Sequence, residues 1–436
     1  MPERHLDVFL DRKRIGILKE SSGIWAFRYD DSWATNPGAY PLSPGLPLST
    51  GEILDGSTER PVQWYFDNLL AEGGARDLLA KDARISNADA FGLLEHYGGE
   101  SAGALTLLKP GEPFPEGGRR PLSGQELFAR IRNLPNVSLV DGAPKRMSLA
   151  GAQHKLPVIL DEAQLYEPTG AQPSTHILKP DHRTRDQYPS SAANEWFVMR
   201  LAAAVGLEVP EVWHHYCPEE PHEGGHEAYY LIQRFDRRND EGYLRRVQSI
   251  DACQLLNKDA TFKYHEMSVP TLLQIAEATR SKAATRLRLF RWCLFNAIVG
   301  NRDAHLKNLS FHVSERGIEL APHYDLVSTA LFDADGGEWL EYPMSIQIGN
   351  AARYRDLNGE AVISLARQLR IAPKAAQSTM ERMTRSIDAH AARLIEEFGA
   401  KPFPESGEAQ ALQGGATRVL RQIRSVVMAE VLRRIS

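Results

Sequence analysis

The sequence has 436 residues, enough for two or three domains of ordinary size. Hydrophobic residues make up 42% and charged residues 25%, a balance that is typical of a soluble globular protein and argues against a disordered chain. The formal net charge is −5, which gives no support to a chain that binds nucleic acid or membranes over its whole surface.

The first part of the chain has the pattern of a mixed α+β unit. Short alternating runs predict strands at 5–10, 15–18, 24–29 and 105–108. Helical spacing predicts helices within 63–79, interrupted at Gly73-Gly74, and from residue 91. Proline, glycine and charged residues dominate from 109 to 120, and this change of composition predicts a domain boundary near residue 110.

The remainder changes from strands to helices. Apolar runs predict strands at 157–160, 176–178 and 229–233. After about residue 248 the spacing is helical, at 271–279, 285–299, 362–369 and 376–398. The predicted domains are therefore an N-terminal α+β subdomain at 1–110, a β-rich lobe at 111–247 and a helical lobe at 248–436.

Nothing in the sequence indicates export or a membrane. The first fifteen residues carry charges and lack the apolar centre of a signal peptide. No run of about 18 apolar residues is present that would span a bilayer. The cysteines at 217, 253 and 293 are widely spaced, so we expect buried thiols in a reducing compartment. We therefore expect a cytoplasmic protein.

The strongest chemical signal is the segment Asn301–Asn308, called the 301–308 loop below. In it Asp303 precedes Asn308 by five residues, and Asp325 follows seventeen residues later, after a predicted strand at 318–321. Protein kinases have this order: one Asp orients the attacking hydroxyl, and the Asn and the second Asp hold the metal ion. An Asp-x4-Asn pair by itself is more often an ordinary polar surface loop, and it is the other residues of the set that favour a kinase.

Other residues upstream follow the kinase order. Lys179 ends a predicted strand, and Glu195 lies on the next predicted helix, 191–201. In kinases such a pair fixes the α- and β-phosphates, although an exposed Lys beside a helical Glu is a common alternative. The strand at 229–233 runs into Gln233–Asp236, where a kinase hinge would hold adenine. The small-residue loop at 145–155 matches no generic phosphate-loop motif and is also compatible with a plain turn.

Several blocks of this sequence resemble a known family. Ser-Leu-Ala-Gly-Ala-Gln-His-Lys at 148–155 is the most specific, and other matching blocks lie at 65–70, 91–94, 98–104, 175–179, 194–195, 234–237, 302–308 and 324–325. They look like the signature blocks of the HipA-type serine/threonine kinases, the toxins of bacterial toxin–antitoxin pairs. The resemblance covers nearly the whole chain.

The resemblance implies an α+β, protein-kinase-like, two-lobed fold with a small N-terminal α+β subdomain and an all-helical C-terminal lobe. It implies use of ATP and Mg²⁺. The implied protein substrate is an aminoacyl-tRNA synthetase, most familiarly glutamyl-tRNA synthetase, whose phosphorylation halts translation and leads to dormancy and drug tolerance. The implied partners are a HipB-like helix-turn-helix antitoxin and, through their complex, operator DNA.

Residue roles are implied by matching positions. Asp303 would orient the hydroxyl nucleophile, and Asn308 and Asp325 would hold Mg²⁺. Lys179 would bind phosphate, with Glu195 positioning it. The other implied ATP contacts are Ala150, Gly151, Ala152, Gln153, His154 and Lys155 over the phosphates, the backbone of Gln233, Arg234 and Phe235 at adenine, Asp236 at the ribose, and His305, Lys307 and Tyr324.

Ser148 matches the serine on which this family phosphorylates itself. A phosphate adds about −1.5 to −2 units of charge at pH 7. That charge would be attracted to Lys145, Arg146 or cations of the 301–308 loop and would pull the phosphate loop out of the ATP site. We therefore expect phosphorylation of Ser148 to silence the kinase.

Two other functions stay open. A catalytically silent kinase fold would act as a co-repressor scaffold, but the complete set of Lys179, Asp303, Asn308 and Asp325 argues against it. A small-molecule phosphotransferase shares the Asp-x4-Asn arrangement, whereas the loop at 148–155 favours the toxin family. No helix-turn-helix is evident, so contact with DNA is expected through the antitoxin.

Overall fold

The structure is a computed structural model that describes residues 3–144, 147, 149–217, 226–332, 338–401 and 407–436, with side chains of the last segment from residue 410. The described chain forms two compact units, each built from separate stretches of sequence. The first unit comprises Met1–Lys179, Gln233–Lys263 and Leu309–Ala321, and the second comprises Pro180–Ile232, Tyr264–Asn308 and Pro322–Ser436. The boundaries expected near residues 110 and 247 stay predictions.

The first unit begins with an antiparallel sheet and four helices. The strands are β1 Arg4–Leu10, β2 Lys13–Ser21, β3 Ile24–Tyr29, β4 Glu52–Leu54 and β5 Leu105–Leu108, in the order β4-β3-β2-β1-β5. The helices are α1 Asp31–Ala34, α2 Pro61–Asp67, α3 Gly73–Ala83 and α4 Ala90–Tyr97. Because side chains alternate along a strand, β1 buries Leu6, Val8 and Leu10 on one face. The predicted strands and helices of this region are confirmed.

The next elements of the first unit are four antiparallel strands and one helix. They are β6 Gly118–Pro121, α5 Gly124–Asn133, β7 Leu156–Asp161, β8 Gln164–Thr169 and β9 His176–Pro180. Within this unit the strands are neighbours in the order β9-β7-β8-β6. Ser123 caps α5, since its hydroxyl accepts a hydrogen bond from the Glu126 N–H at 3.1 Å.

The middle of the chain passes from the second unit back to the first. Its elements are α6 Ser191–Ala204, β10 Val212–Tyr216, β11 Ala228–Gln233, β12 Arg237–Asp240, β13 Tyr243–Arg246, β14 Ser249–Asp251 and α7 Ala252–Leu255. In the second unit, β10 and β11 form an antiparallel pair, and α6 buries Trp196 and Phe197 completely. In the first unit, β12 pairs with β13, and β14 pairs with a later strand, β15.

The C-terminal half is mainly helical, as predicted, and also contains four short strands. Its elements are α8 Val269–Ala278, α9 Lys282–Val299, β15 Ser310–Ser314, β16 Gly317–Leu320, β17 Pro343–Ile348, β18 Ala351–Arg353, α10 Gly359–Gln368, α11 Pro373–Gly399, α12 Gly407–Gln422 and α13 Ala429–Ile435. A π-helical turn, Ile423–Met428, joins α12 to α13. The core of the second unit includes the large side chains of α9, among them Phe290, Trp292 and Phe295.

Two smaller expectations are also answered. The three cysteines are free and buried, as predicted. Within the residues that the structure describes, no helix is both long enough and apolar enough to cross a bilayer.

Candidate active site

The 301–308 loop follows directly from the buried helix α9. The helix ends at Val299, and Gly300 takes a left-handed conformation with φ of 70°, which a residue without Cβ adopts at little cost. The side-chain Nδ2 of Asn301 donates to Oδ1 of Asn296 at 2.7 Å, and Oδ1 of Asn301 accepts from the Asp303 N–H at 2.9 Å. These bonds fix the backbone that carries Asp303.

Asp303 and Asn308 are tied to each other, as a kinase loop requires. The Asn308 Nδ2 donates to the backbone carbonyl of Asp303 at 2.9 Å, and the Asn308 N–H donates to the carbonyl of His305 at 2.9 Å. Asp303 itself is half-buried, whereas His305, Lys307 and Asn308 are buried. Because its Nδ2 is used internally, Asn308 keeps its Oδ1 as the side-chain acceptor.

Asp325 is held near this loop within the second unit. The hydroxyl of the preceding residue, Tyr324, donates to the Lys307 carbonyl at 2.6 Å. Asp325 has a φ of 57°, a conformation that is uncommon for a residue other than glycine and that often marks a functional position. Burial, with the negative charges of Glu195 and Asp325, raises the pKa of Tyr230 well above its usual value. Glu195 and Asp325 therefore share one neighbour, Tyr230.

Glu195 lies on α6, as predicted, and is buried. Its neighbour Asn194 fixes the helix by two hydrogen bonds with Ser328: its Nδ2 donates to the Ser328 carbonyl at 2.7 Å, and its Oδ1 accepts from the Ser328 N–H at 3.0 Å. Lys179 lies on β9 of the first unit and is also buried. The pairing of Lys179 with Glu195 stays a prediction.

The oxygen donors of the second unit fit a hard divalent cation. No group of three or more His, Cys, Asp or Glu side chains that would hold a metal by itself occurs among the described residues. Mg²⁺ does not require such a group, because it is bound through one or two protein oxygens together with substrate phosphates and water. The amide oxygen of Asn308 and the carboxylate of Asp325 are ligands of this kind, and the Asn308 amide is already oriented.

Sequence reasoning missed Tyr264. Its hydroxyl donates to Oδ1 of Asp303, and its ring meets the His305 ring edge-on with centroids 4.8 Å apart. Tyr264 lies 39 residues before Asp303 and outside every motif, so no pattern in the sequence pointed to it.

The predicted phosphate loop lies in the first unit and is anchored to the N-terminal subdomain. Ala71 and Gly151 form an isolated parallel bridge, and the Glu72 N–H donates to the Gly151 carbonyl at 3.1 Å. Lys155 folds back within the loop, where its Nζ donates to the Ala150 carbonyl at 2.7 Å. Gln153, His154 and Lys155 also line a small cleft, together with residues such as Ala71 and Ala75. Ala152 is exposed, and Ser148, Lys145 and Arg146 lie outside the described residues.

The predicted hinge residues take part in a buried ionic network, called here the arginine cluster and made of Glu100, Ser174, Arg234, Asp236 and Arg237. Arg234 donates to both oxygens of Asp236, at 2.9 and 2.6 Å, and the Gly103 N–H donates to Asp236 Oδ2 at 2.7 Å. Although burial acts in the opposite direction, Arg234 and Arg237 hold the pKa of Asp236 well below its usual value. The Asp236 carboxylate is therefore bonded to protein groups, and its predicted contact with the ribose stays a prediction.

Glu100 is the second acceptor of the arginine cluster and was not singled out from the sequence. Its Oε1 accepts hydrogen bonds from Arg234 at 3.1 Å, Arg237 at 2.9 Å and the Ser174 hydroxyl at 2.6 Å. The Arg234 N–H is also committed, since it donates to the Thr175 carbonyl at 2.9 Å. The contact of adenine with the backbone of Gln233, Arg234 and Phe235 stays a prediction, and of these residues Gln233 is exposed.

Comparison with known proteins covers both parts of the chain. Residues 6–108 match the HipA N-terminal domain, and residues 147–391 match the HipA-like C-terminal domain. The putative kinase Y4mE of Sinorhizobium fredii is 31% identical over 410 residues, which cover 91% of this chain and 93% of that protein. The serine/threonine-protein kinase toxin HipA of Shewanella oneidensis is 31% identical over 349 residues, 75% of this chain and 76% of that protein.

A solved structure is similar over almost the full length. It contains HipA and HipB of Shewanella oneidensis with their operator DNA, and its matching chain has a TM-score of 0.76 at 26% identity, covering 98% of this chain and 97% of that one. This likeness confirms the predicted α+β, protein-kinase-like fold. The chain therefore belongs to the HipA family of serine/threonine-protein kinase toxins.

Proposed function

We propose that this protein transfers the γ-phosphate of ATP to a serine or threonine hydroxyl of another protein. The observation that carries the proposal is the arrangement in the second unit, where Asn308 is bonded to the backbone of Asp303 and Tyr324 to that of Lys307. These bonds hold the segments that carry Asp303, Asn308 and Asp325, the residue types that a kinase uses around the terminal phosphate. Family membership supports the same activity.

In this reaction Asp303 orients the acceptor hydroxyl and receives its proton. The hydroxyl oxygen forms a bond to the γ-phosphorus, and the bond between that phosphorus and the β,γ-bridging oxygen breaks, so that ADP leaves. Asn308 and Asp325 would hold Mg²⁺, which supplies positive charge against the phosphate oxygens when it is bound. Because transfer of a phosphoryl group depends mostly on positioning, the rigid 301–308 loop is well suited to this work.

The target and partners belong to the same proposal. We infer that the substrate is an aminoacyl-tRNA synthetase, with glutamyl-tRNA synthetase the first to test, and that its phosphorylation halts translation and leads to dormancy. A DNA-binding antitoxin would neutralise the toxin, and the support for this is the Shewanella structure, which holds HipA together with HipB and operator DNA. Phosphorylation at Ser148 would end activity by withdrawing the loop at 150–155 from ATP.

The test compares the wild-type protein with Asp303→Asn, using γ-labelled ATP and purified glutamyl-tRNA synthetase. The amide keeps the shape of the side chain but does not take up the proton, so transfer should fall about 10²- to 10⁴-fold. Asp186→Asn, at an exposed position of the second unit, is the matched control and should transfer phosphate like the wild type.

The outcomes separate the alternatives. Label on a synthetase that depends on Asp303 would support both the activity and the target. Label on other proteins, but on no synthetase, would support a kinase with a different substrate. Transfer to an aminoglycoside without transfer to protein would support a small-molecule phosphotransferase. No transfer by the wild type to any acceptor would overturn the kinase and favour the scaffold.

A further inference from the structure

Tyr264 places a hydroxyl on the carboxylate that a kinase reserves for its substrate. The Tyr264 Oη donates to Oδ1 of Asp303. Both residues belong to the second unit, and the side chain of Tyr264 is not part of the core, since the residue is 51% exposed. An exposed aromatic ring with its polar end directed at a half-buried carboxylate is a specific contact and not a consequence of packing.

The hydrogen bond from Tyr264 to Asp303 resembles the bond that an acceptor hydroxyl makes to the same carboxylate in phosphotransfer. For transfer, a serine or threonine hydroxyl has to lie within hydrogen-bond reach of the Asp303 carboxylate and donate to it. A phenol is a donor of the same kind. A protein substrate that approaches Oδ1 of Asp303 therefore meets a position that Tyr264 has already filled.

A hydrogen bond holds the backbone of Tyr264, whereas its half-exposed side chain is able to rotate. The Tyr264 carbonyl accepts a hydrogen bond from the Met267 N–H at 3.1 Å, in the turn before α8. Its ring lies edge-on to His305, with centroids 4.8 Å apart. Rotation of this half-exposed side chain away from Asp303 breaks the hydrogen bond to Asp303 and the ring contact with His305, without unfolding any helix.

We propose that Tyr264 occupies the acceptor position of the resting protein and that a substrate hydroxyl must displace it from Asp303. This rests on the proposed kinase function and adds a selection step to it: an acceptor is phosphorylated only if its own contacts outweigh the bond between Tyr264 and Asp303. Poorly held hydroxyls, including water, are excluded in this way.

The experiment uses Tyr264→Phe in the full chain, with dephosphorylated α-casein as the acceptor probe. The variant keeps the ring beside His305 and removes only the competing hydroxyl. The KM for casein should fall about three- to tenfold, the range expected when one hydrogen bond to a charged group is lost at an exposed site. The KM for ATP should stay unchanged, and slow hydrolysis of ATP should increase because water gains access to Asp303.

Two controls accompany this variant. Tyr243→Phe removes a hydroxyl from a comparably exposed tyrosine on β13 and should leave the KM for casein unchanged. Equilibrium binding of labelled casein without ATP gives a measurement that does not depend on turnover, and Tyr264→Phe should bind casein about three- to tenfold more tightly than the wild type.

Each contrary result is distinct. A lower kcat with unchanged KM would mean that Tyr264 supports Asp303. Unchanged binding and kinetics would mean that the contact between Tyr264 and Asp303 has no effect on acceptors. Either result would overturn the proposal and leave the proposed kinase activity standing. Phosphotyrosine at 264 that depends on Asp303 would make Tyr264 a substrate and would also overturn it. Absence of transfer by wild type and variant alike would overturn the proposed kinase and this inference together.

Discussion

The arginine cluster and the 301–308 loop both contain a carboxylate that accepts hydrogen bonds from other side chains, but the two carboxylates have different roles. In the arginine cluster, Glu100 has no exposed side-chain surface and accepts four hydrogen bonds at one oxygen, two of them from arginines and two from Ser174. In the 301–308 loop, Asp303 is half-buried and accepts a hydrogen bond from the hydroxyl of the exposed Tyr264. Removing a partner from a buried, fully paired carboxylate destabilises the fold, whereas a less buried carboxylate is available for chemistry.

The two regions also differ in how their positions are fixed. The arginine cluster is fixed by its side chains, which join β12 and neighbouring segments to the chain around Glu100. The backbone of the 301–308 loop is held by the turn at Gly300 and by the neutral side-chain amides of Asn301 and Asn308. Substitutions that remove charge should therefore affect the first region most, and substitutions that move the backbone should affect the second.

The largest effect is expected from Glu100→Gln. The amide removes one of the two negative charges that compensate the buried guanidinium groups of Arg234 and Arg237, and only Asp236 is left. The free energy of unfolding should therefore fall by about 3–5 kcal/mol. Urea denaturation measures the change. Glu116→Gln removes the same charge at an exposed position and should change stability by less than about 0.5 kcal/mol. Equal effects of Glu100→Gln and Glu116→Gln would refute the special part that buried charge pairing has in the arginine cluster.

A smaller effect is expected from Gly300→Ala, at the start of the 301–308 loop. A Cβ there would lie 2.5 Å from Val427 Cγ1 and 2.9 Å from Ala330 Cβ, in addition to the strain of a positive φ. The free energy of unfolding should fall by about 2–4 kcal/mol, and phosphotransfer should fall with it because Asp303 shifts. Urea denaturation and the kinase assay measure the two changes.

Gly206→Ala is the matched control for this substitution. Gly206 also has a positive φ, 86°, but no atom lies within 4 Å of the position of its added Cβ. Only the conformational strain should appear, about 1 kcal/mol, with activity unchanged. If Gly206→Ala cost as much as Gly300→Ala, the packing around Gly300 would have no special part in fixing the 301–308 loop.

The smallest effect concerns Asp181, a buried carboxylate whose partners are mostly neutral. Its Oδ1 accepts from the Ala192 N–H at 2.8 Å, and burial raises its pKa from 3.8 to about 6. The folded state therefore binds more protons than the unfolded state between these values, so stability falls as the pH rises from about 4 to 6. This is the opposite of Asp236, whose arginine partners lower its pKa.

Asp181→Asn tests this difference directly. The amide oxygen still accepts from the Ala192 N–H but has no charge to lose. Relative to the wild type, the variant should gain about 1–3 kcal/mol in free energy of unfolding between pH 4 and pH 8. Urea denaturation of both proteins across this range gives the difference. A difference that stayed constant or decreased with pH would contradict the assigned direction.

Local pattern predicted the elements of this protein well, for a physical reason. The strands at 24–29 and 105–108 have the predicted bounds, and the predicted helix at 285–299 lies within α9, Lys282–Val299. Burial of one strand face or one helix face repeats in the sequence with the period of the element, so neighbouring residues suffice to show it. The order of Asp303, Asn308 and Asp325 was visible in the same way.

Contacts between distant residues were not visible. Arg234 and Glu100 are 134 residues apart, and no periodicity relates them. Asp236 matched a motif block and was assigned to the ribose, which stays a prediction, but its bonds to Arg234 and the Gly103 N–H were not visible in the sequence. Motif position shows which residue type is present but not whether that residue is paired with protein.

The sequence by itself determined the order of strands and helices, the family and the set of candidate catalytic side chains, because these depend on residue type and local spacing. Only the tertiary structure decided which carboxylates are paired and which are accessible, and it alone placed Tyr264 on Asp303. The reason is that burial and pairing arise from segments far apart in the chain, and local sequence does not specify which of them meet.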